Sequence, residues 1–322
     1  MKVHDILIIF FVASAMALFS SCEKEIRYVG QYDGEKLVLF CCANTDTTVT
    51  ARLFKSKYFQ SRSDEGSCFD MLSGAEVTLE ADGRRYAMDE NPEKPGEYTC
   101  GYWPDEGDGL MITASLAGFR PVRSETLVPQ RPDFSVESCN VEYYGHRDDE
   151  LGRSSELYRI MCRVTLRDDP AAGNCYRVFM SRLGQKVLTY SDDALFVNAD
   201  SELGRLDGLP EIDCSLSLRR SFFEDSAING REYSFNLWVI ETGYSLADID
   251  LDEYAVEIAS VSEDLYRYEK STPETVLSGK YDYLFSEQYS ISNNIHGGIG
   301  CFGAMASRAL ILDSVHAPYQ VR

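Results

Sequence analysis

The sequence predicts a mainly all-β fold: an N-terminal β-sandwich followed by a larger β-rich domain with one or two short helices. Three observations carry this. Apolar and polar residues alternate with a period of two in many short runs, the pattern of strands with one buried face. Dipeptides that supply tight turns, Asp82-Gly83, Pro95-Gly96 and Asn229-Gly230, separate those runs. Only one segment has a clear helix-start signature. The 322 residues, 44% hydrophobic and 12% aromatic, are enough to bury a sizeable core, and the length favours two domains.

In chain order, the apolar runs at 36–41 and 49–54 open a first domain placed at 35–129. Residues 75–80 alternate as a half-buried strand, and Asp82-Gly83 turns the chain into a return strand at 85–89 with Tyr86 and Met88 on one face. Pro95-Gly96 leads into a strand at 98–102. Leu110, Ile112, Ala114 and Leu116 alternate again, and Gly118 ends that strand. Pro129-Gln130-Arg131-Pro132 marks the boundary to a second domain at 133–305. There Tyr158, Ile160, Cys162, Val164 and Leu166 face one way, and Arg159, Met161, Arg163, Thr165 and Arg167 the other. That is one long strand with a wet face. Asp168-Asp169-Pro170 turns the chain through Gly173 into a strand at 175–180. Residues 198–213 form a polar loop, and Leu216 and Leu218 mark a strand. Asn229-Gly230 is read as a hairpin into Tyr233, Phe235, Leu237 and Val239. Residues 254–258 are strand-like. Ser260-Val261-Ser262-Glu263 has the form of a capping box, so a helix is expected over 261–270, followed by Pro273. Residues 306–322 are expected to form a C-terminal tail.

The first 25 residues are of another kind. Lys2 precedes an apolar run of fourteen residues from Ile6 to Phe19, shorter than the roughly 20 that span a bilayer. The run fits the apolar region of a secretory signal at 1–21, with the small residues Ser20 and Ser21 at the cleavage point. Cys22 at that junction resembles a bacterial lipobox, in which this cysteine is acylated, with palmitate among its chains, and becomes the mature N-terminus. An ordinary signal peptide with an incidental cysteine, or an uncleaved anchor, is the alternative. Residues 22–34 form an acidic tether. Its Glu23-Lys24-Glu25 resembles the surface-export signal of Bacteroidota lipoproteins.

The net charge of −21 is unchanged by loss of residues 1–21, which carry one Lys and one Asp. Such a surface repels phosphate backbones and anionic headgroups, so nucleic acid is excluded as a partner and membrane attachment falls to the anchor. Of the ten cysteines, nine remain once Cys22 carries lipid: Cys41, Cys42, Cys68, Cys100, Cys139, Cys162, Cys175, Cys214 and Cys301. The number is odd, so at least one stays free or pairs between molecules. No CxxC occurs and no cysteine has ligand spacing from His146, His296 or His316, so no metal site is expected. Reduced core cysteines are favoured, with one or two disulfides as the alternative.

Several motifs fail on context. Gly298-Ile299-Gly300-Cys301-Phe302-Gly303 spells GxGxxG, but the dinucleotide turn belongs early in a βαβ unit with an acidic residue about 20 positions on. Nineteen residues remain here, so the segment is read as a tight backbone turn and no cofactor is expected. Asp248, Asp250 and Asp252 begin like a calcium loop, but Glu253 stands where that loop needs glycine and Ala259 where it needs a bidentate Glu. GxSxG and HExxH are absent from the sequence, and no catalytic residue is nominated. Asp46-Thr47-Thr48, Asp225-Ser226-Ala227 and Asp313-Ser314-Val315 match a three-residue O-glycosylation pattern of Bacteroidota exported proteins. His146 and His316 sit in polar, solvated contexts.

Cys22, Gly74-Ala75-Glu76-Val77, Gly96-Glu97-Tyr98, Val128-Pro129 and the stretch Ser292 to Ala304 together resemble the Bacteroidota lipoprotein family catalogued as domain of unknown function 4249. That family ends on Ser-Asn-Ile, two or three residues, and Gly-x-Gly-Ile-Phe-Gly. Asn293, Gly297, Gly298, Gly300, Phe302 and Gly303 occupy the motif, while Asn294 is additional and Cys301 stands where Ile is usual. The resemblance implies a prealbumin- or immunoglobulin-like β start and an outer-membrane lipoprotein whose genes commonly neighbour TonB-dependent transporters. It implies no activity, and the ligand stays unknown.

Three functions compete. The first is a surface-exposed outer-membrane lipoprotein acting as a non-catalytic accessory or ligand-capture subunit of a TonB-dependent transporter. The second is a structural, pilin-like adhesin, which strand exchange would require to have a long apolar terminal strand; residues 305–322 hold only the apolar run Ala309 to Leu312. The third is an enzyme acting on glycans or peptides, which no motif supports. The anchor is testable alone. Each buried acyl CH₂ adds about 0.8 kcal/mol of membrane affinity, so wild type is expected to partition into detergent with acyl chains on residue 22. Cys22→Ala is expected to give a soluble or uncleaved product, and an unmodified mature N-terminus by mass spectrometry would remove the assignment.

Overall fold

Alternation of buried and exposed side chains builds eighteen strands and two α-helices among the described residues of the computed structural model. Described are residues 34–56, 70–148, 154–170, 173–197, 216–217, 222–243, 245–272 and 291–312. Cys22 and residues 23–33 of its tether, the 198–213 loop, Leu218, Pro273, Asp313-Ser314-Val315 and His316 lie outside them. The strands are β1 (Leu37–Asn44), β2 (Thr50–Lys55), β3 (Asp70–Met71), β4 (Glu76–Ala81), β5 (Arg84–Glu90) and β6 (Glu97–Thr99). Next come β7 (Gly109–Ser115), β8 (Val122–Leu127), β9 (Asp133–Asp148), β10 (Ser154–Arg167), β11 (Cys175–Arg182) and β12 (Gln185–Lys186). The rest are β13 (Tyr190–Ser191), β14 (Leu216–Ser217), β15 (Phe222–Glu224), β16 (Glu232–Gly243), β17 (Tyr254–Val261) and β18 (Ile299–Ile311). The helices are α1 (Ala194–Val197) and α2 (Glu263–Ser271). The fold is mainly β, as the alternation predicts.

Thirteen strands form one sheet whose main path runs β12-β11-β17-β18-β1-β2-β6-β5-β4-β7-β8. Five form a second, β14-β13-β16-β10-β9. The long sheet folds back at β5, which pairs with β4 along its length and with β6 only through Asp89 and Glu90. One core therefore collects Leu39 of β1, Leu53 of β2, Leu79 of β4, Ile112 of β7 and Phe302 of β18. Glu90 holds this fold: its carboxylate accepts the N–H groups of Gly74 at 2.9 Å and Gly96 at 2.8 Å. At the β4–β5 hairpin, Asp82 and Gly83 take positive φ of 52° and 70°, the double left-handed turn that matches strand twist.

A second core lies between the β9-β10-β16 face and the inner face of β11 and β17, with Ile160, Val164, Val178, Phe235 and Ile258 in it. Pro129 and Pro132, expected to divide two domains, fall between β8 and β9, yet β18 reaches both cores. Its first half pairs in parallel with β1, from Val38↔Ile299 to Asn44↔Met305, and its second half antiparallel with β17, from Ala255↔Ile311 to Val261↔Met305. The described residues from Glu35 to Leu312 accordingly form one compact unit. The expected tail loses its first residues to β18, because 306–311 carry the β17 pairing.

Two local expectations change. The helix starts two residues late: Ser262 is its N-cap, accepting from Leu265 N, because Ser260 and Val261 are held in the ladder opposite Tyr176 and Cys175. Asn229-Gly230 is a corner and not a hairpin, since β15 pairs with β11 in one sheet while β16 pairs with β10 in the other. Two buried carboxylates fix that corner. Asp168 accepts from Tyr176 Oη at 2.5 Å and Gly230 N at 2.7 Å, and Asp225 accepts from Gly173 N and Asn174 N, each at 3.0 Å. Asp248 and Asp250 likewise accept from backbone N–H groups, of Ser245 and Asp252.

The Glu90 bonds have a pH signature. Hydrogen bonds from the Ser73 side chain and from the Gly74 and Gly96 backbone hold its carboxyl below the ordinary glutamate value. A depressed folded pKa contributes stability that is present above the unfolded value and lost as pH falls through the folded one. Glu90→Gln is therefore expected to lower the thermal midpoint at neutral pH, with the difference from wild type shrinking as pH falls below about 4. A pH-independent difference, by calorimetry, would assign the effect to shape alone.

Candidate functional site

The glycine-rich segment at 291–304 is built from backbone contacts too close for a side chain. A Cβ on Gly297, where φ is +86°, would stand 2.4 Å from Pro121 O. On Gly298 it would stand 2.5 Å from Leu37 O, and on Gly300, where φ is +125°, 2.0 Å from Leu39 O. On Gly303 it would meet Leu265 Cβ at 2.6 Å, which is how α2 comes to rest directly on β18. Contacts below 3 Å of this kind leave glycine as the residue that fits. Phe302 between them is fully buried, an apolar side chain contributing about 2–3 kcal/mol by burial.

The asparagines bind the segment to itself. Asn293 Oδ1 accepts from Ile295 N at 3.1 Å and its Nδ2 donates to Gly298 O at 3.2 Å. Asn294 makes the stronger closure: Nδ2 donates to Phe302 O at 2.7 Å and Oδ1 accepts from Phe302 N at 3.0 Å. Its amide thus supplies both bonds that a neighbouring strand would make. Against the family's ending Asn294 is an additional residue, and no periodicity marks it. Ser262, expected within the helix, is its N-cap, and its Oγ accepts from Ala304 N at 3.0 Å, which ties the start of α2 to β18.

Beyond Ile295 the segment crosses to β8. His296 N donates to Arg123 O at 2.8 Å, Arg123 N to His296 O at 3.1 Å, and Ser124 Oγ to Asn294 O at 2.9 Å. His296 and Gly297 thereby form one wall of an open groove of about 760 Å³ on the wet face of β5-β4-β7-β8. Strand alternation decides its floor. Val77, Leu79, Ile112 and Ala114 point into the core, leaving Glu76, Thr78, Glu80, Met111, Thr113 and Ser115 outward. Arg85 pairs with Glu80 at 3.2 Å and Arg123 with Glu125. Arg120, beside Gly297, is exposed and has no hydrogen bond or ion pair among the described residues.

The remaining candidate residues lie apart from this groove. His146 is exposed at the end of β9, and Asp46 pairs with Arg131 at 2.9 Å. Asp225 is buried in its corner, with Ser226 exposed beside it. Among the described residues no three His, Cys, Asp or Glu side chains gather as a metal site. Cys22 is not among the described residues.

Residues 23–310 match the family described as Domain of unknown function (DUF4249). The chain belongs to that family. No curated protein matches it. Within the matched span of this DUF4249 chain, the stretch Ser292 to Ala304 both joins β18 to β1 and walls the groove.

Two substitutions separate backbone fit from side-chain bonding. Gly300→Val drives a branched side chain into the Leu39 carbonyl and is expected to lower stability by more than about 3 kcal/mol. Asn294→Ala leaves both Phe302 backbone groups unpaired and is expected to cost about 1–3 kcal/mol. Denaturant midpoints measure both, and wild-type stability in Gly300→Val would mean that the β1 backbone gives way.

Proposed function

We propose that this DUF4249 protein is an outer-membrane lipoprotein, held by acyl chains on Cys22 and facing the cell exterior. It acts as a non-catalytic ligand-capture or accessory subunit of a TonB-dependent transporter system. The observation that carries the binding part is the groove. Its floor is the polar side of a sheet whose other side is core, and its wall is the backbone of His296 and Gly297, which the bonds to Arg123 hold in place. A rigid, solvent-open surface of this kind binds without an ordering cost. Arg85–Glu80 and Arg123–Glu125 are paired, while the Glu76 carboxylate and the Arg120 guanidinium stay available to meet polar or charged groups of a ligand.

Location supports the accessory part. The reading is supported by the lipobox-like junction at Cys22 and by the transporter neighbourhood that the family resemblance implies, which would keep the body within a short tether's reach of a membrane partner. Tethering raises the effective concentration to about the millimolar range, so a modest patch suffices. Mild-detergent pull-down of the tagged full chain is expected to recover a TonB-dependent transporter, and the purified protein to hydrolyse nothing in a broad glycan and peptide panel. Absence of any β-barrel partner, together with turnover of one substrate, would reverse the reading in favour of an enzyme.

A further inference from the structure

We propose that Cys139 and Cys162 form a cross-strand disulfide in protein that folds in an oxidising compartment. The inference is independent of the ligand-capture reading. β9 and β10 are antiparallel neighbours, and their register sets Cys139 directly opposite Cys162. Facing residues of an antiparallel pair have Cα atoms about 4.5–5.5 Å apart. That lies inside the roughly 4.4–6.8 Å over which a disulfide closes without moving backbone. Both side chains are 0% exposed in the second core, and their sulfurs are 3.5 Å apart, one thiol donating to the other. Closing that gap to a bond of about 2.05 Å takes a small side-chain rotation.

Register singles this pair out among the described cysteines. Cys41 and Cys301 also lie on adjacent strands, but Cys41 faces Phe302 and Cys301 faces Phe40. One residue of offset points their sulfurs to opposite faces of the sheet. Cys42 faces Gly303, and Cys175 faces Val261 on one side and Glu224 on the other. The bond would fasten β9, which ends the five-stranded sheet, to the strand beside it.

The chemistry balances as thiol–disulfide exchange. The thiolate of one cysteine attacks the disulfide of an oxidant such as oxidised glutathione, expelling one thiol and leaving a mixed disulfide. The second cysteine's thiolate then displaces the other, so the pair loses two protons and two electrons and the oxidant gains them as two thiols. Each step needs a thiolate and access. In the folded state the shared hydrogen bond and burial push the Cys162 thiol well above its ordinary range. The pair is therefore oxidised while the chain folds, and its state is then locked in.

The test compares routes to the folded full chain. One sample is reduced, unfolded and refolded in a reduced/oxidised glutathione buffer, and a second is exported to an oxidising periplasm. A third is folded under dithiothreitol and only afterwards given the glutathione buffer. Free thiols are alkylated after denaturation, and unreduced digests are mapped by mass spectrometry. In the first two samples a linked peptide joining residues 139 and 162 is expected, about 2 Da lighter than its two parts. The third is expected to lack the link, and Cys139→Ser to lack it in all three with a lower thermal midpoint than the oxidised wild type. Full alkylation of both cysteines in natively folded protein from either oxidising route would overturn the proposal. So would a link from either cysteine to a different one.

Discussion

The contact on which the rest of the structure depends is the parallel approach of β18 to β1, closest where Gly300 lies against the Leu39 carbonyl. Parallel strands cannot be joined by a short turn, so this pairing brings the two ends of the folded body together across some 260 residues of chain. Loop closure on that scale is costly, and it is offset only if the closing strand buries a great deal. β18 does so on both flanks, placing Phe302 and Ala304 in one core and resting Leu310 against the other. The glycines let it sit that deep. A side chain at 297, 298, 300 or 303 would hold the strand away from β1, β8 or α2, and both cores would lose a shared wall.

Polar groups then hold the corners that packing alone leaves loose. Glu90, Asp168, Asp225 and Asn294 each satisfy two backbone or hydroxyl partners at points where the chain changes sheet or doubles back. Buried backbone groups have to find partners, and at these corners no adjacent strand supplies them. Part of the acidic excess is thus internal scaffolding. The groove, by contrast, presents the Arg85–Glu80 and Arg123–Glu125 pairs together with Glu76 and the exposed Arg120.

The segment and the groove share one stretch of backbone. The same backbone that closes the sheet also carries His296 and Gly297 to the groove's wall. The isolated bridge to Arg123 and the Asn294 closure hold the two in fixed hydrogen-bonded register.

The sequence by itself determined the strands with one wet face. Tyr158 to Leu166 and Leu110 to Ala114 alternate because one side must be apolar, and each needs only its own neighbours to do so. The Asp82-Gly83 hairpin was legible for the same reason, since positive φ is a local demand. β9 was not legible: register shifts opposite Leu157/Tyr158 and Arg163/Val164 break its period of two, so no single alternation runs through it. The tertiary structure alone decided that Asn229-Gly230 turns between sheets and that Ser260 belongs to a strand. It also decided that Asn294 stands in for a missing strand and that Cys139 meets Cys162. Each of these depends on a partner far away in the chain, and a single sequence records which residues can pair but not which ones the folded chain brings together.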